Sequence, residues 1–298
     1  MKQTSQTVKS KSLSLKAPAK INLFLKILNR RSDGYHEIES LMQKIALFDM
    51  LHLSRKGEGI FLSCPGSKVP EDRENLVYRA ADAFFSATRI APGVHIVLEK
   101  NIPVAAGLGG GSSDAAAVLV GLNKLLAADL ETECLMDIGL KLGADVPFFL
   151  EDCSLALATG IGECLQKVDP IREYWILLVN PGFAVSTKWV YEKFPLTSYS
   201  NPYILARGQL MDGESHTISP GLFEELGNDL EAVTVKRYPE IGNIKNELKK
   251  AGAIAALMSG SGPTVFGLFS GKEEAQRSFV RFVEKYGDNV FLVRPYIP

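Results

Sequence analysis

The chain has 298 residues, of which 46% are hydrophobic and 22% are charged. This size and balance predict a soluble globular protein with one large or two medium domains and a sizeable core. The 33 lysines and arginines nearly balance the 34 aspartates and glutamates. No global positive field therefore recruits nucleic acid or an anionic membrane, and local groups must hold any anionic ligand.

The cysteines and the first residues of the chain indicate a cytoplasmic protein. Cys64, Cys134, Cys153 and Cys164 are scattered without a CxxC pair, which argues against a zinc site and against a disulfide framework. Residues 1–12 are polar and lack the apolar core of a signal peptide. No apolar run is long enough to cross a bilayer. We expect residues 1–12 to form a disordered tail.

Apolar spacing and turn residues predict strands and helices in mixed order. Up to residue 142, these are a strand over 13–28 kinked at Pro18, a turn at Asp33-Gly34, a strand over 39–53, a helix over 75–88, a strand over 94–98, a helix over 115–126, and a helix over 132–142 ended by Gly143 and Pro147. After it come strands over 154–159 and 175–179, loops and short helices over 197–220, a helix over 241–251, and strands over 255–258 and 264–269 joined by a turn. The order predicts an α+β architecture with lobes over 13–168 and 169–298.

The most informative segment is PVAAGLGGGSSD, residues 103–114, which places four glycines within five residues. Glycines lack a Cβ, so backbone N–H groups can converge on an anion, and the N-terminus of the next helix carries a partial positive charge. Ser112, Ser113 or Asp114 is expected to cap that helix, which begins near Ala115. The segment therefore predicts a phosphate-binding loop.

A glycine cluster can also be a flexible linker or a tight structural turn. The strand predicted before it and the helix predicted after it disfavour a linker. The segment lacks the Lys-Ser or Lys-Thr that closes the loop of P-loop NTPases, and a dinucleotide fingerprint would need glycine where Ser112 stands. A dinucleotide-dependent oxidoreductase is therefore only an alternative.

Two further segments accompany the glycine cluster: PAKINL (18–23) with DGYH (33–36), and SGSGP (259–263). Together the three resemble the motifs of the GHMP kinase superfamily, whose small-molecule kinases act on galactose, homoserine, mevalonate and phosphomevalonate. The resemblance implies a two-lobed α+β fold. Its N-terminal lobe is like the second domain of ribosomal protein S5, and its C-terminal lobe is ferredoxin-like.

Within this superfamily, the segments PAKINLFLKI, RSDGYHEIES, GLGGGSSDAAA, GADVPFF and SGSGPTVFG resemble the branch that phosphorylates a cytidine-diphosphate-linked methylerythritol in the non-mevalonate route to isoprenoids. The resemblance implies that ATP, with Mg²⁺, donates its γ-phosphoryl group to the 2-hydroxyl of that alcohol. Two alternatives stay open: a superfamily kinase of mevalonate or homoserine type, and a nucleotide-binding regulatory module without turnover.

Phosphoryl transfer depends mainly on alignment and charge neutralisation. By the resemblance, Asp145 is the catalytic aspartate that accepts the hydroxyl proton or orients the hydroxyl. Lys20 is the catalytic lysine that keeps Asp145 ionised and offers positive charge to the migrating phosphoryl group. The two are expected to converge at the anion pocket. Without the resemblance, Asp145 is equally typical of a turn and Lys20 of a solvated strand face.

The resemblance also implies two groups of ligand contacts. The nucleotide group comprises Asn75, Lys100, Pro103, Gly107, Leu108, Gly109, Gly110, Gly111, Ser112 and Ser113, with the hydroxyl of Ser112 or Ser113 as the partner of Mg²⁺ and no carboxylate assigned to the metal. For the acceptor, Tyr35 and Tyr191 sandwich the cytosine ring, His36 hydrogen-bonds its edge, and Asn22 and Thr187 contact the methylerythritol or diphosphate. We expect a monomer or homodimer that binds small molecules.

Overall fold

The structure is a computed structural model that describes residues 12–170, 174–195 and 226–298. The loops predicted over 197–220 and the predicted tail, apart from residue 12, lie outside this range. The chain packs into two compact units. The first unit contains residues 12–17, 49–101 and 111–150, and the second contains residues 18–48, 102–110 and the described residues from 151 onward. None of the described helices combines the length and apolar composition that crossing a bilayer requires.

Long strands begin the chain and helices follow. The elements up to residue 150 are β1 (Ser12–Arg30), β2 (His36–Arg55), β3 (Gly59–Ser63), α1 (Leu76–Thr88), β4 (Gly93–Glu99), α2 (Gly110–Leu126), α3 (Thr132–Leu142) and α4 (Val146–Leu150). The elements after it are β5 (Leu155–Thr159), β6 (Cys164–Val168), β7 (Trp175–Val179), α5 (Thr187–Lys193), α6 (Glu231–Arg237), α7 (Pro239–Lys250), β8 (Ala255–Met258), β9 (Val265–Phe269), α8 (Lys272–Tyr286) and β10 (Val290–Val293), with a 3₁₀ turn at Gly287–Asn289.

In the first unit, strands with one buried face pack against helices. Along β4 the buried residues alternate with partly exposed ones, as expected where one sheet face meets a core. β4 pairs in parallel with β3 and antiparallel with residues 50–55 of β2. Apolar side chains of α1, α2 and α3 fill the core against this face, among them Phe84, Leu119 and Leu135.

In the second unit, an antiparallel sheet with strand order β10-β7-β9-β8 separates two apolar clusters. Successive residues of β7 point to opposite faces, so Ile176 and Leu178 join one cluster while Leu177 and Val179 join the other. This explains why β7 is an uninterrupted apolar run. In the same unit, β5 pairs with residues 40–43 of β2 and with β6.

The predicted α+β class is confirmed, and the predicted bounds of α3, β7 and β8 match the structure. The kink predicted at Pro18 is wrong, because β1 runs unbroken through it. Among the described strands β1 pairs with β2 alone, and a strand with an unpaired edge tolerates a residue that has no N–H. Strands β3, β6 and β10 and helices α4, α5, α6 and α8 were not predicted. The lobe boundary between 168 and 169 stays a prediction.

The prediction that a helix begins near Ala115 is also wrong, since α2 begins at Gly110. Ser112, Ser113 and Asp114 therefore lie inside the helix and do not cap it. Tertiary contacts override the weak helix propensity of glycine and serine: Lys100 donates to Asp114 at 2.8 Å, and buried apolar residues of α2 follow. Pro147 does not end a helix either, because it lies in the first turn of α4, where a missing N–H costs nothing.

We predict that Phe84→Ala destabilises the protein by about 3–5 kcal/mol, because the ring is fully buried and its removal leaves a cavity. Urea unfolding followed by circular dichroism measures this loss. The control is Leu140→Ala in the same unit, whose side chain is exposed, and it should change the stability by less than about 1 kcal/mol. Equal losses in the two variants would contradict the assigned core.

Candidate active site

The backbone of the glycine loop, residues 103–111, requires glycine at defined positions. Gly107 and Gly109 have φ angles of +75° and +70°, which side chains with a Cβ rarely adopt. At Gly107 there is also no room, because a Cβ would lie 2.1 Å from the carbonyl oxygen of Ser259. The predicted cradle thus favours glycine at positions 107 and 109 and has no room for a side chain at 107.

Within the second unit, hydrogen bonds to its carbonyl groups fix this loop. The Ser259 hydroxyl donates to the carbonyl of Gly107 at 2.8 Å, and the N–H of Lys20 donates to the carbonyl of Leu108 at 2.9 Å. The N–H of Thr264 donates to the carbonyl of Ala106 at 3.3 Å. Residues from the three predicted motifs therefore meet, which no local sequence pattern requires.

Lys20 is buried, with only 5% of its surface exposed. Its Nζ donates to Oδ1 of Asn22 at 2.6 Å, and Nδ2 of Asn22 donates to the hydroxyl of Ser40 at 2.8 Å. The Ser40 hydroxyl in turn donates to the carbonyl of Phe24 at 2.7 Å. Because burial of an ammonium group is costly unless it is hydrogen-bonded, this chain of contacts contradicts a solvated strand lysine and gives Lys20 one orientation.

The loop over 259–263 is held from both sides. Nδ2 of Asn228 donates to the carbonyl groups of Met258 and Gly260, at 2.8 and 2.7 Å. The hydroxyl of Thr187 lies 2.8 Å from that of Ser261. Thr187, a predicted acceptor contact, thus lies at this loop. Sequence reasoning missed Asn228, which follows the poorly patterned segment 197–220 and carries no motif.

The predicted cytosine contacts lie at the β1–β2 turn and on α5. Tyr35 is 60% exposed, and its N–H donates to Oδ1 of Asp33 at 3.0 Å in that turn. The rings of His36 and Tyr191 lie 5.3 Å apart and are tilted by 40°. Burial, and then the nearby Arg30, lower the pKa of His36 below its usual value. The structure brings His36 and Tyr191 together, and the sandwich formed with Tyr35 stays a prediction.

In the first unit, Asp145 lies half-buried in the turn between α3 and α4. The N–H of Val146 donates to the carbonyl of Gly143 at 3.0 Å and fixes this turn. A Cβ on Gly143 would lie 3.9 Å from the hydroxyl of Ser112, so the turn that carries Asp145 passes beside the first turn of α2. Lys20 belongs to the other unit, and the convergence of Lys20 with Asp145 stays a prediction.

Lys100 belongs to a buried ionic cluster, the Lys100 cluster, made of Asp49, Lys100 and Asp114. Nζ of Lys100 contacts Oδ2 of Asp49 and lies 2.8 Å from Oδ2 of Asp114, and its side chain is 8% exposed. Burial raises the pKa of Asp114 to about 7, with Lys100 lowering it and Asp49 raising it further. Burial lowers the pKa of Lys100, but the two carboxylates outweigh it and raise that pKa overall.

Asn75 begins α1 as its N-cap residue. Its Oδ1 accepts from the N–H of Val77 at 2.9 Å, and its Nδ2 donates to the carbonyl of Pro70 at 2.7 Å. The nucleotide contacts predicted for Asn75 and Lys100 stay predictions. Sequence reasoning missed Asp49, whose signal is a carboxylate between the apolar residues Phe48 and Met50 of β2.

The first turns of α2 offer oxygen atoms to a cation. Among the described residues, the hydroxyl of Ser113 and Oδ1 of Asp114 are buried without a hydrogen-bond partner. No group of three or more His, Cys, Asp or Glu side chains in the described ranges could hold a metal ion. Mg²⁺ commonly uses one or two protein oxygens together with substrate phosphates and water, and the hydroxyl of Ser113 fits a magnesium ion of that kind.

Comparison with known proteins identifies two matching domains. Residues 75–152 match the GHMP kinases N terminal domain, and residues 212–288 match the GHMP kinases C terminal domain. A 4-diphosphocytidyl-2-C-methyl-D-erythritol kinase of Geobacter metallireducens is 48% identical over 89% of this chain and 92% of its own length. The kinase of that name from Syntrophotalea carbinolica is 49% identical over 95% and 98%.

A solved structure supports the same grouping. The crystal structure of a 4-(cytidine 5'-diphospho)-2C-methyl-D-erythritol kinase matches with a TM-score of 0.79 and 33% identity, over 95% of this chain and 100% of the other. The predicted GHMP kinase fold is confirmed, and the protein is a small-molecule kinase rather than an oxidoreductase. The chain belongs to the GHMP kinase family, and within it to the 4-diphosphocytidyl-2-C-methyl-D-erythritol kinases.

Proposed function

We propose that the chain transfers the γ-phosphoryl group of ATP to the 2-hydroxyl of 4-diphosphocytidyl-2-C-methyl-D-erythritol. The observation that carries the proposal is the meeting of the glycine loop with Lys20 and Ser259 within one unit. A buried lysine hydrogen-bonded beside a glycine loop suits a reaction that moves a phosphoryl group. The identity of the acceptor is inferred from the names of the relatives.

The nucleotide binds through residues 103–113 in this proposal. Positive φ angles at Gly107 and Gly109 present backbone N–H groups in the manner of an anion-binding nest, and the N-terminus of α2 adds its partial positive charge. Neither contribution needs a basic side chain. This agrees with a net charge of −1 and with the absence of a closing Lys-Ser or Lys-Thr in the loop.

Ser113, with Ser112 as its neighbour, would hold Mg²⁺ that enters bound to ATP, because its buried hydroxyl has no other partner. When bound, the ion neutralises phosphate charge. The residues of the chain do the remaining work: Asp145 orients the acceptor hydroxyl and takes its proton, and Lys20 stabilises the charge that moves with the phosphoryl group. Asn22 keeps the Lys20 ammonium in place.

The acceptor is held by its cytosine ring. Tyr191 packs near His36, and Tyr35 is exposed enough to close over a base. Because burial lowers the pKa of His36, its ring is neutral near pH 7 and offers one N–H donor and one acceptor to the base edge. Asn22 and Thr187 contact the diphosphate or the methylerythritol.

The proposed setting is the cytoplasm, where the chain acts as a monomer or homodimer. The thiols of Cys64, Cys134, Cys153 and Cys164 are all free, which suits a reducing compartment. The four cysteines are also scattered along the sequence, which is not typical of a disulfide framework.

A substrate panel tests the proposal. Formation of ADP is measured with ATP, Mg²⁺ and, in separate reactions, the cytidyl methylerythritol, mevalonate and homoserine. We expect ADP with the cytidyl substrate alone, and its loss when EDTA removes the metal. Equal turnover of mevalonate or homoserine would contradict the proposed acceptor, and no turnover of any alcohol would contradict the proposed function.

Asp145→Asn should lower kcat by about 10³-fold or more while the Kd for ATP stays within about threefold, because only the proton acceptor is lost. Stopped-flow turnover and calorimetric titration measure the two quantities. The matched control is Asp137→Asn on the exposed face of α3, which should leave both unchanged. An Asp145→Asn enzyme with wild-type kcat would exclude a catalytic role for this carboxylate.

Tyr191→Ala should raise the KM for the cytidyl substrate by about 10- to 100-fold, since stacking of a base on an aromatic ring contributes about 1–3 kcal/mol. Tyr191→Phe keeps the ring and should keep the wild-type KM. Initial rates at saturating ATP give both values. An unchanged KM in the alanine variant would rule out stacking at this position.

A further inference from the structure

The Lys100 cluster joins the two chain segments that flank the glycine loop. Before the loop, Lys100 contacts Oδ2 of Asp49, and the N–H of Asn101 donates to Oδ1 of the same carboxylate at 2.6 Å. After the loop, Asp114 accepts a hydrogen bond from Lys100 at 2.8 Å. Asp49 lies on β2, at a distant point of the sequence. One buried lysine and one buried carboxylate thus tie residues 100–101 to residue 114.

We propose that Asp49, Lys100 and Asp114 are positioning residues that close the base of the glycine loop and hold it ready for the phosphates of ATP. This inference rests on the proposed nucleotide role of the loop. It assigns Lys100 an indirect role, because its ammonium is already bound by two carboxylates and its side chain is almost fully buried.

The physical reason is conformational entropy. A segment with four glycines in five residues has many accessible backbone states, and ordering it on binding costs affinity. Fixing the two ends close together in the free protein removes part of that cost before ATP arrives. Buried ion pairs rarely add much net stability compared with apolar residues of similar size. We therefore expect the cluster mainly to fix the positions of the two ends of the loop.

A direct contact between Lys100 and phosphate makes the opposite prediction. If the ammonium bound ATP itself, removal of Asp114 would release it from a competing carboxylate and leave the affinity for ATP unchanged or higher. If the cluster acts through the loop, the same substitution loosens residues 103–111 and weakens ATP binding. Asp114→Ala therefore separates the two roles.

The test measures the Kd for ATP by calorimetry and amide hydrogen exchange over residues 103–111, in the wild type, Asp114→Ala and Asp114→Asn. We expect Asp114→Ala to raise the Kd and the KM for ATP by about tenfold or more, as loss of a buried charged partner allows. Its loop amides should exchange faster without nucleotide. At saturating ATP, the KM for the acceptor should stay within about threefold of the wild type.

Asp114→Asn keeps an oxygen that can accept from Lys100, so it should restore most of the affinity. The control is Asp229→Asn, since Oδ2 of Asp229 accepts the N–H of Ile27 at 2.8 Å, a contact that involves no residue of the glycine loop or of the Lys100 cluster. It should leave the Kd for ATP and the exchange of the loop unchanged. If Asp114→Ala does not fold, Asp49→Asn decides the same question, because it weakens the acceptor of both Lys100 and Asn101 and should raise the Kd likewise.

The outcomes separate the two proposals. If ATP fails to slow exchange over residues 103–111 in the wild type, the nucleotide role of the loop is wrong and this inference falls with it. If ATP protects the loop in the wild type, but the folded Asp114 or Asp49 variants keep the wild-type Kd and loop exchange, the inference alone is overturned.

Discussion

The hydrogen bonds that Lys20 and Ser259 donate to the carbonyl groups of Leu108 and Gly107 are the constraint on which the site depends. The glycines of the loop have no side chains that restrict their backbone to one conformation. Here a strand on one side and the loop over 259–263 on the other supply the donors. The contact at Gly107 leaves no room for a Cβ. The loop can therefore pack in this way only if residue 107 is glycine.

Lys20 and Lys100 are both buried, but different groups surround their ammonium groups. The Lys20 ammonium donates to the amide oxygen of Asn22, and in the proposed reaction it offers its positive charge to the migrating phosphoryl group. The Lys100 ammonium contacts two carboxylates, so its charge is consumed within the protein. A sequence shows both as lysines in strand-rich segments. The ionic cluster around Lys100 became visible only from the partners that the fold brings to its side chain.

Much of the fold followed from local pattern, because β7 and α3 carry their apolar periodicity within a few residues. The beginning of α2 could not be predicted this way, because glycine and serine disfavour a helix and the contact of Asp114 with Lys100 is tertiary. The motifs identified the glycine loop and Lys20 through resemblance. Asp49 and Asn228 were missed because their roles depend on partners more than 25 residues distant in sequence, which no local pattern records.

In the proposed reaction, the glycine loop, Lys20 and Asp145 act together to transfer one phosphoryl group from ATP to the acceptor. Its most direct test is ³¹P NMR of the product formed from ATP and 4-diphosphocytidyl-2-C-methyl-D-erythritol. The account predicts one new phosphomonoester signal on the 2-hydroxyl, together with an equal amount of ADP. A phosphate on another hydroxyl, or ADP released without any phosphorylated alcohol, would contradict it.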